Sequence, residues 1–314
     1  MKQPLIILTG PTAVGKTKMS IALAKAVDGE IISADSMQVY RQMDIGSAKI
    51  RPEEMDGIRH HLIDVLDPDE AFHVFRFQEM AKAAMDEIYG RHKIPILTGG
   101  TGFYIQAVLY DIDFTENGGD GAYRRELEEL AREKGPEFLH QMLQEVDARS
   151  AEEIHAHNVK RTIRALEYFH QTGEKISEHN QEQREKESPY NFAYFVLNDE
   201  RKRLYERIDR RVDEMMKEGL EDEVARLKNR GFTRDMVSMQ GLGYKEMLDY
   251  LEGNCTLEEA VAIIKRDTRH FAKRQITWFK RERDVIWLDK GKTGCGEDVL
   301  LKQMLEELKR RQMI

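Results

Sequence analysis

A chain of 314 residues, 40% hydrophobic and 34% charged, can bury one large core and carry an inserted or appended second unit, and its balance is that of a soluble globular protein. No apolar run approaches the roughly 18 residues of a membrane span, and Cys255 and Cys295, two in number and far apart, exclude a disulfide framework and a cysteine-rich zinc site. A net charge of −8 argues as a total against nucleic acid, although its distribution matters more. Met1-Lys2-Gln3 runs straight into an apolar segment without a signal-peptide pattern, so the expected compartment is the cytoplasm.

The first expected element is a short buried parallel strand from Leu5 to Thr9. Gly10-Pro11-Thr12-Ala13-Val14-Gly15-Lys16-Thr17 follows and fits the phosphate-loop pattern G-x-x-x-x-G-K-[ST]. Glycines let consecutive backbone N–H groups turn inward on phosphate oxygens, with a helix N-terminus behind them. That helix is expected from Lys18 to Val27, where Met19, Ile21, Leu23, Ala24 and Val27 recur at helical spacing. Lys16 would reach the terminal phosphates of a di- or triphosphate, and the Thr17 hydroxyl would ligate Mg²⁺.

Further strands are expected at Glu30 to Ala34, His61 to Val65, Ile94 to Thr98, Asn191 to Leu197 and Val285 to Leu288, with helical segments after several of them. The fold class is therefore α/β, a P-loop NTPase-like parallel sheet covered by helices. Two clusters lie just past strand carboxyl ends, where an open α/β sheet places its chemistry. Asp35-Ser36-Met37-Gln38 offers a carboxylate, a hydroxyl and an amide, with Asp35 read either as a helix N-cap or as a functional acid. Gly99-Gly100-Thr101-Gly102 offers a turn that a ligand can approach closely, with Thr101 either a contact or an ordinary turn residue. The strand ending at Thr98 has no acid at its tip, although Asp64 or Asp67 could act on metal-bound water. A phosphate loop without a clear second acid suits a pyrophosphate leaving group better than ATP hydrolysis.

Between Asp111 and Pro189 the strand signal stops. Gly118-Gly119 and Gly121 open a charged, helix-forming segment with breaks near Gly135-Pro136 and Gly173. The expected organisation is a core of residues 1–110 and 190–314 around an all-helical insertion of residues 111–189. A long helix is expected from Arg201 to Arg230, with Leu204, Ile208, Val212, Met215, Leu220, Val224 and Leu227 as its stripe and Gly231 as its stop. Another runs from about Leu257 to Arg283, with Ala260, Ile264, Phe271 and Trp278 on one face and Arg266, Arg269, Lys273 and Lys280 on the other. From 265 to 283, eight Lys and Arg stand against Asp267 and Glu282, a local +6 within a chain of −8. Such a run is usually a solvated face, but surface helices normally mix signs, and cations along one stripe suit a nucleic-acid backbone.

These motifs, in order along nearly the whole chain, resemble the bacterial form of the tRNA dimethylallyltransferases, also called tRNA isopentenyltransferases. The residues concerned are the phosphate loop, Ser33 to Arg41, Gly99 to Tyr104, Arg207-Ile208-Asp209-Arg210-Arg211-Val212-Asp213, Gln240 to Glu246 and Ala272 to Phe279. The resemblance implies transfer of a dimethylallyl group from dimethylallyl diphosphate to N6 of the adenine immediately 3′ of the anticodon. It also implies a channel through the core, with nucleic acid at one mouth and diphosphate at the other. Asp35 would take the proton of the adenine amine, Ser36, Met37 and Gln38 would help hold the flipped base, and Thr101 would lie near the reacting centre. Arg211 would join Lys16 on the diphosphate. Contacts to tRNA would come from Arg124, from Val159, Lys160, Arg161, Thr162 and Ile163, from Gln240, Gly241, Leu242, Gly243, Tyr244 and Lys245, and from Lys273 and Arg274. Mg²⁺ is the cofactor expected, and a monomer the state, since one wrapped tRNA imposes no symmetry. The chain ends at Ile314 without the zinc-finger extension of eukaryotic relatives. From the phosphate loop and sheet alone, a kinase of a nucleoside or small metabolite remains the alternative, as does an RNA-binding module that merely holds nucleotide.

Overall fold

A computed structural model describes residues 2–114, 121–293 and 296–314, so Gly118-Gly119 and Cys295 lie outside the described residues. Strand β1 (Pro4–Thr9) leads through the glycine loop into α1 (Lys16–Val27), followed by β2 (Gly29–Ser33), β3 (His60–His61), α2 (Val74–Gly90), β4 (Ile94–Gly99) and α3 (Gly102–Leu109). Then come α4 (Ala122–Lys134), α5 (Pro136–Val146), α6 (Ala148–Glu153), α7 (Val159–Thr172) and α8 (Ile176–Glu185). The chain finishes with β5 (Asn191–Asn198), α9 (Arg201–Glu218), α10 (Leu220–Asn229), α11 (Tyr244–Leu251), α12 (Leu257–Phe279), β6 (Val285–Asp289), α13 (Lys290–Thr293) and α14 (Glu297–Arg310). Among the described residues no helix is long and apolar enough to cross a membrane.

Two compact units result: Met1–Asp111 with Ser188–Ile314, and Ile112–Glu187. The first holds a six-stranded sheet in the order β3-β2-β4-β1-β5-β6, every pairing parallel. Its strands are near-continuous apolar runs because both faces are covered. Ile6, Leu8, Ile31, Ile96 and Phe195 face Met19 and Leu23 of α1, Leu204 and Ile208 of α9, and Leu300, Met304 and Leu308 of α14. The second unit has its own small core, in which Leu127, Leu139, Leu143, Ile163 and Leu166 meet. There the buried Asp147 carboxylate accepts from the backbone N–H and hydroxyl of both Ser150 and Ser177, at 2.7–3.0 Å, tying the start of α6 to that of α8.

Three expectations are corrected. The strand expected over His61 to Val65 is only His60–His61, because the backbone turns left-handed at Leu62 (φ 62°) and Asp64 (φ 55°). The single helix expected from Arg201 to Arg230 is two, divided at Gly219 (φ 98°), which caps α9 and opens α10. Helix α12 ends at Phe279, and its buried stripe is Ala260, Ile264, Ala272, Gln275 and Phe279, leaving Phe271 and Trp278 half-exposed. Its start is well specified: Thr256 Oγ1 accepts from Glu259 N, and the Glu259 carboxylate accepts from Thr256 N.

Candidate active site and basic cleft

The phosphate loop is shaped by what its glycines avoid. A Cβ on Gly10 (φ 145°) would fall 2.4 Å from the Leu197 carbonyl oxygen, and Gly15 (φ 95°) supplies the left-handed residue that caps α1. No side chain caps that helix, so its first amides face the loop interior, the arrangement that binds anions. Lys16 Nζ donates to the carbonyls of Gly10 and Pro11, both at 2.9 Å. Desolvation pulls its pKa down to about 8; the nearby Asp35 carboxylate pushes it up and the Arg211 guanidinium pushes it down. Burial lowers the pKa of Arg211 as well, against the pull of Glu214, Asp35 and Glu54. Asp35 and Arg211 thus both act on Lys16, although 195 positions of sequence separate Lys16 from Arg211. Thr17, exposed at the start of α1, shares a cleft with Arg211, Lys49 and Asp64. Asp64 is bound to Lys49 Nζ at 2.5 Å, and Asp67 pairs with Arg41 at 3.3 Å.

The strand ends beside the loop are stitched together. Thr9 Oγ1 donates to Gly99 O (2.6 Å), Thr98 Oγ1 to Leu8 O (2.7 Å), and the amides of Ala34 and Thr101 to Thr98 O and Ala34 O. This holds the residues after β2 against the Gly99–Gly102 turn. Asp35 Oδ1 accepts from Met37 N at 2.9 Å and so shapes its own turn, while Gln38 donates to Ala48 O. The N-cap reading of Asp35 is corrected, since no helix follows it: Oδ1 closes a turn on Met37 N, and the carboxylate lies close enough to Lys16 to raise its pKa.

Gln275 on α12 is the residue that sequence reasoning missed. It is 5% exposed; its Oε1 accepts from the phosphate-loop amide Thr12 N at 2.8 Å and its Nε2 donates to Gly100 O at 3.0 Å. A Cβ on Gly100 would sit 2.2 Å from that Nε2, and one on Gly102 would sit 2.3 Å from the Trp278 ring, so the glycines admit α12. The outward side of the same helix lines a basic cleft with His270, Lys273, Arg274, Thr277, Trp278 and Arg281. Exposed Phe103 meets Trp278 edge-on, centroids 6.2 Å apart, placing aromatic surface beside the cations. Not every cation on α12 looks outward, since Arg269 pairs with Asp209 and Lys265 with Asp213.

The other expected contacts are placed unevenly. Gln240 is exposed, Gly241 packs on the Met37 side chain, and Leu242 and Lys245 are half-buried. Tyr244 is fully buried, its hydroxyl 2.8 Å from Glu223. The same Glu223 carboxylate, itself 2% exposed, accepts the consecutive amides of Asp44, Ile45 and Gly46 at 2.8–3.1 Å. Tyr244 therefore acts on the fold and offers nothing to a partner's surface. Within the helical unit, Lys160 and Arg161 are exposed, Val159 is half-buried, Thr162 is buried, and Ile163 belongs to that unit's own core. Arg124 forms a two-point pair with Glu167, at 2.9 and 2.6 Å.

Comparison with known proteins bears on this arrangement. A family model described as IPP transferase matches residues 38–282. A tRNA dimethylallyltransferase of Lachnoclostridium phytofermentans is 62% identical, over 99% of this chain and 99% of that protein. One of Bacillus cereus (strain AH187) is 54% identical, over 92% and 90%. Among solved structures, the full-length tRNA isopentenylpyrophosphate transferase of Bacillus halodurans superimposes with a TM-score of 0.75 at 46% identity, covering 99% of this chain and 97% of that one. A eukaryotic dimethylallyltransferase described as acting on tRNA gives 0.81 at 30% identity, covering 92% and 74%.

Proposed function

Because the chain belongs to the IPP transferase family, we propose that it transfers a dimethylallyl group from dimethylallyl diphosphate to N6 of the adenine at tRNA position 37, immediately 3′ of the anticodon, releasing diphosphate. The observation that carries this reading is Gln275, which fastens the phosphate loop to the helix bearing the basic cleft, so that one element serves a diphosphate and a polyanion at once. A kinase of small metabolites would have no use for that cleft.

The chemistry follows from the residues. An exocyclic adenine amine is a weak nucleophile and needs a base as the new bond forms. Its nitrogen attacks the terminal allylic carbon, the carbon–oxygen bond to diphosphate breaks, and Asp35 accepts the amine proton. Lys16, Arg211 and the first amides of α1 stabilise the charge growing on the bridging oxygen. The base must leave the anticodon stack, at a cost of a few kcal/mol that pocket contacts offset. Ser36, Gln38 and Thr101, held around the Asp35 turn, are the groups we assign to it. Lys160, Arg161, Gln240, Lys273 and Arg274 are the contacts we assign to the tRNA backbone. Among the described residues no cluster of three His, Cys, Asp or Glu could cage a metal ion. Mg²⁺ suits a site of this composition, because it is commonly held by one or two protein groups, water and phosphate oxygens, here through the Thr17 hydroxyl. Bound there, it would neutralise diphosphate charge. A cytoplasmic monomer is the form we assign to the enzyme.

The test is incubation with Mg²⁺, dimethylallyl diphosphate and a tRNA with adenosine 3′ of its anticodon, with mass analysis of the nucleosides and a parallel run with ATP. A dimethylallyl mass gain on adenosine is expected, and Asp35→Ala should lower turnover by about 10² or more with tRNA affinity nearly unchanged. Full turnover in that variant would remove Asp35 from the role of base; ADP formation without any mass gain would restore the kinase reading.

A further inference from the structure

Beyond the family-matched segment, which ends at residue 282, a lysine reaches back to the phosphate loop. Lys290 follows β6, whose carboxyl end lies beside that of β5. Its Nζ is 2.8 Å from the position that a Cβ on Gly15 would occupy, so the ammonium rests against the residue that opens α1. The side chain is only 17% exposed. Its ion-pair partner, Glu297, is distant at 3.8 Å and is held more tightly by Lys18, at 2.7 Å. Desolvation and the neighbouring Arg207 and Lys18 charges lower the Lys290 pKa, while Glu297 and Asp199 raise it. An ammonium held out of water beside helix-terminal amides, with its carboxylate engaged elsewhere, is placed to meet an incoming anion.

We propose that Lys290 is a further diphosphate-binding residue, a third cation that meets the leaving group at Gly15 while Lys16 and Arg211 hold it from within. The proposal rests on the loop being a diphosphate site, as argued above. It requires no new chemistry: the ammonium gives up its long pairing with Glu297 for a phosphate oxygen, and neutralises part of the charge released when the carbon–oxygen bond breaks.

Inorganic pyrophosphate with Mg²⁺ is the probe, titrated calorimetrically into the full chain and into Lys290→Ala and Lys290→Arg, with melting temperature and tRNA affinity measured on each. Lys290→Ala should weaken pyrophosphate binding about tenfold and Lys290→Arg by less than about threefold, with tRNA affinity and melting temperature unchanged. Equal pyrophosphate affinity in wild type and Lys290→Ala would overturn the assignment and leave the diphosphate site standing. A loss in Lys290→Ala that comes with a lowered melting temperature and is not restored by Lys290→Arg would also overturn it, as the mark of a structural ion pair. No binding by the wild type would remove the diphosphate site and Lys290 together.

Discussion

Glu282 shows how one residue can couple the helix carrying the basic cleft to pH. Just past the end of α12, its carboxyl lies near Tyr110, Tyr194, Trp278 and Arg283. Burial raises its pKa from 4.5 to about 7, against the charge of Arg283. A carboxyl with a raised pKa favours the folded state only while protonated, so its contribution is complete below about pH 4.5 and is lost as the pH rises to about 7. Wild type should therefore lose about 3 kcal/mol over that interval relative to Glu282→Gln, whose side chain cannot titrate. Denaturant unfolding of both proteins at pH 5 and pH 8 measures this, and a difference that does not change with pH would show that Glu282 stays ionised throughout. Lys16 and Asp35 illustrate what can be read in advance at this scale. The phosphate loop is a local pattern of glycines and one lysine, and Asp35 follows directly on a strand. Gln275 gave no such signal. Its two partners, Thr12 and Gly100, are 263 and 175 positions away, and a neutral amide among cations looks like any other helix residue.

At the scale of elements, the strands that become continuous apolar runs were legible because both faces of the sheet are covered, and β1, β2, β4, β5 and β6 lie within a residue or two of their expected positions. His61 to Val65 misled because its apolar residues belong to a turn whose left-handed positions carry Leu and Asp, for which sequence has no strong mark. Gly219 was passed over because one glycine inside a helical pattern is often tolerated, and only packing decides whether the chain turns there. Of the four cations expected along one face of α12, Lys273 lines the cleft while Arg266 and Arg269 pair with Asp267 and Asp209, and the apolar phase differs too: Phe271 and Trp278 border solvent, while Ala272 joins the sheet core and Gln275 meets the glycine turn. Each exposed cation that neutralises a phosphate adds about one unit to the dependence of log affinity on log salt. Replacing both Lys273 and Arg274 by Ala should accordingly lower that slope by about two for tRNA, and leave pyrophosphate affinity unchanged. An unaltered slope would mean that those two side chains contact no phosphate.

For the whole molecule, a net −8 with a basic stripe on one helix means that a polyanion is repelled over most of the surface and drawn to one part of it. The two compact units have separate cores, and the Asp147 hub belongs wholly to the helical one. Removing its four hydrogen bonds through Asp147→Ala leaves two serines and two amides without their acceptor, a loss of about 2–4 kcal/mol from that unit. Hydrogen exchange should register faster opening in residues 122–185 with the sheet amides unaffected; uniform acceleration would mean that the units unfold as one. The Glu223 carboxylate has a different reach. By collecting three consecutive amides it does for residues 44–46 what a bound anion does for a glycine loop, but with a ligand that never dissociates. The stretch after Asp35 is thereby ordered when the chain folds, and its conformational entropy does not have to be lost again at every encounter with substrate. Asp44 and Ile45 line the cleft that also holds Thr17 and Arg211, so that wall of the cleft has its shape before any ligand arrives.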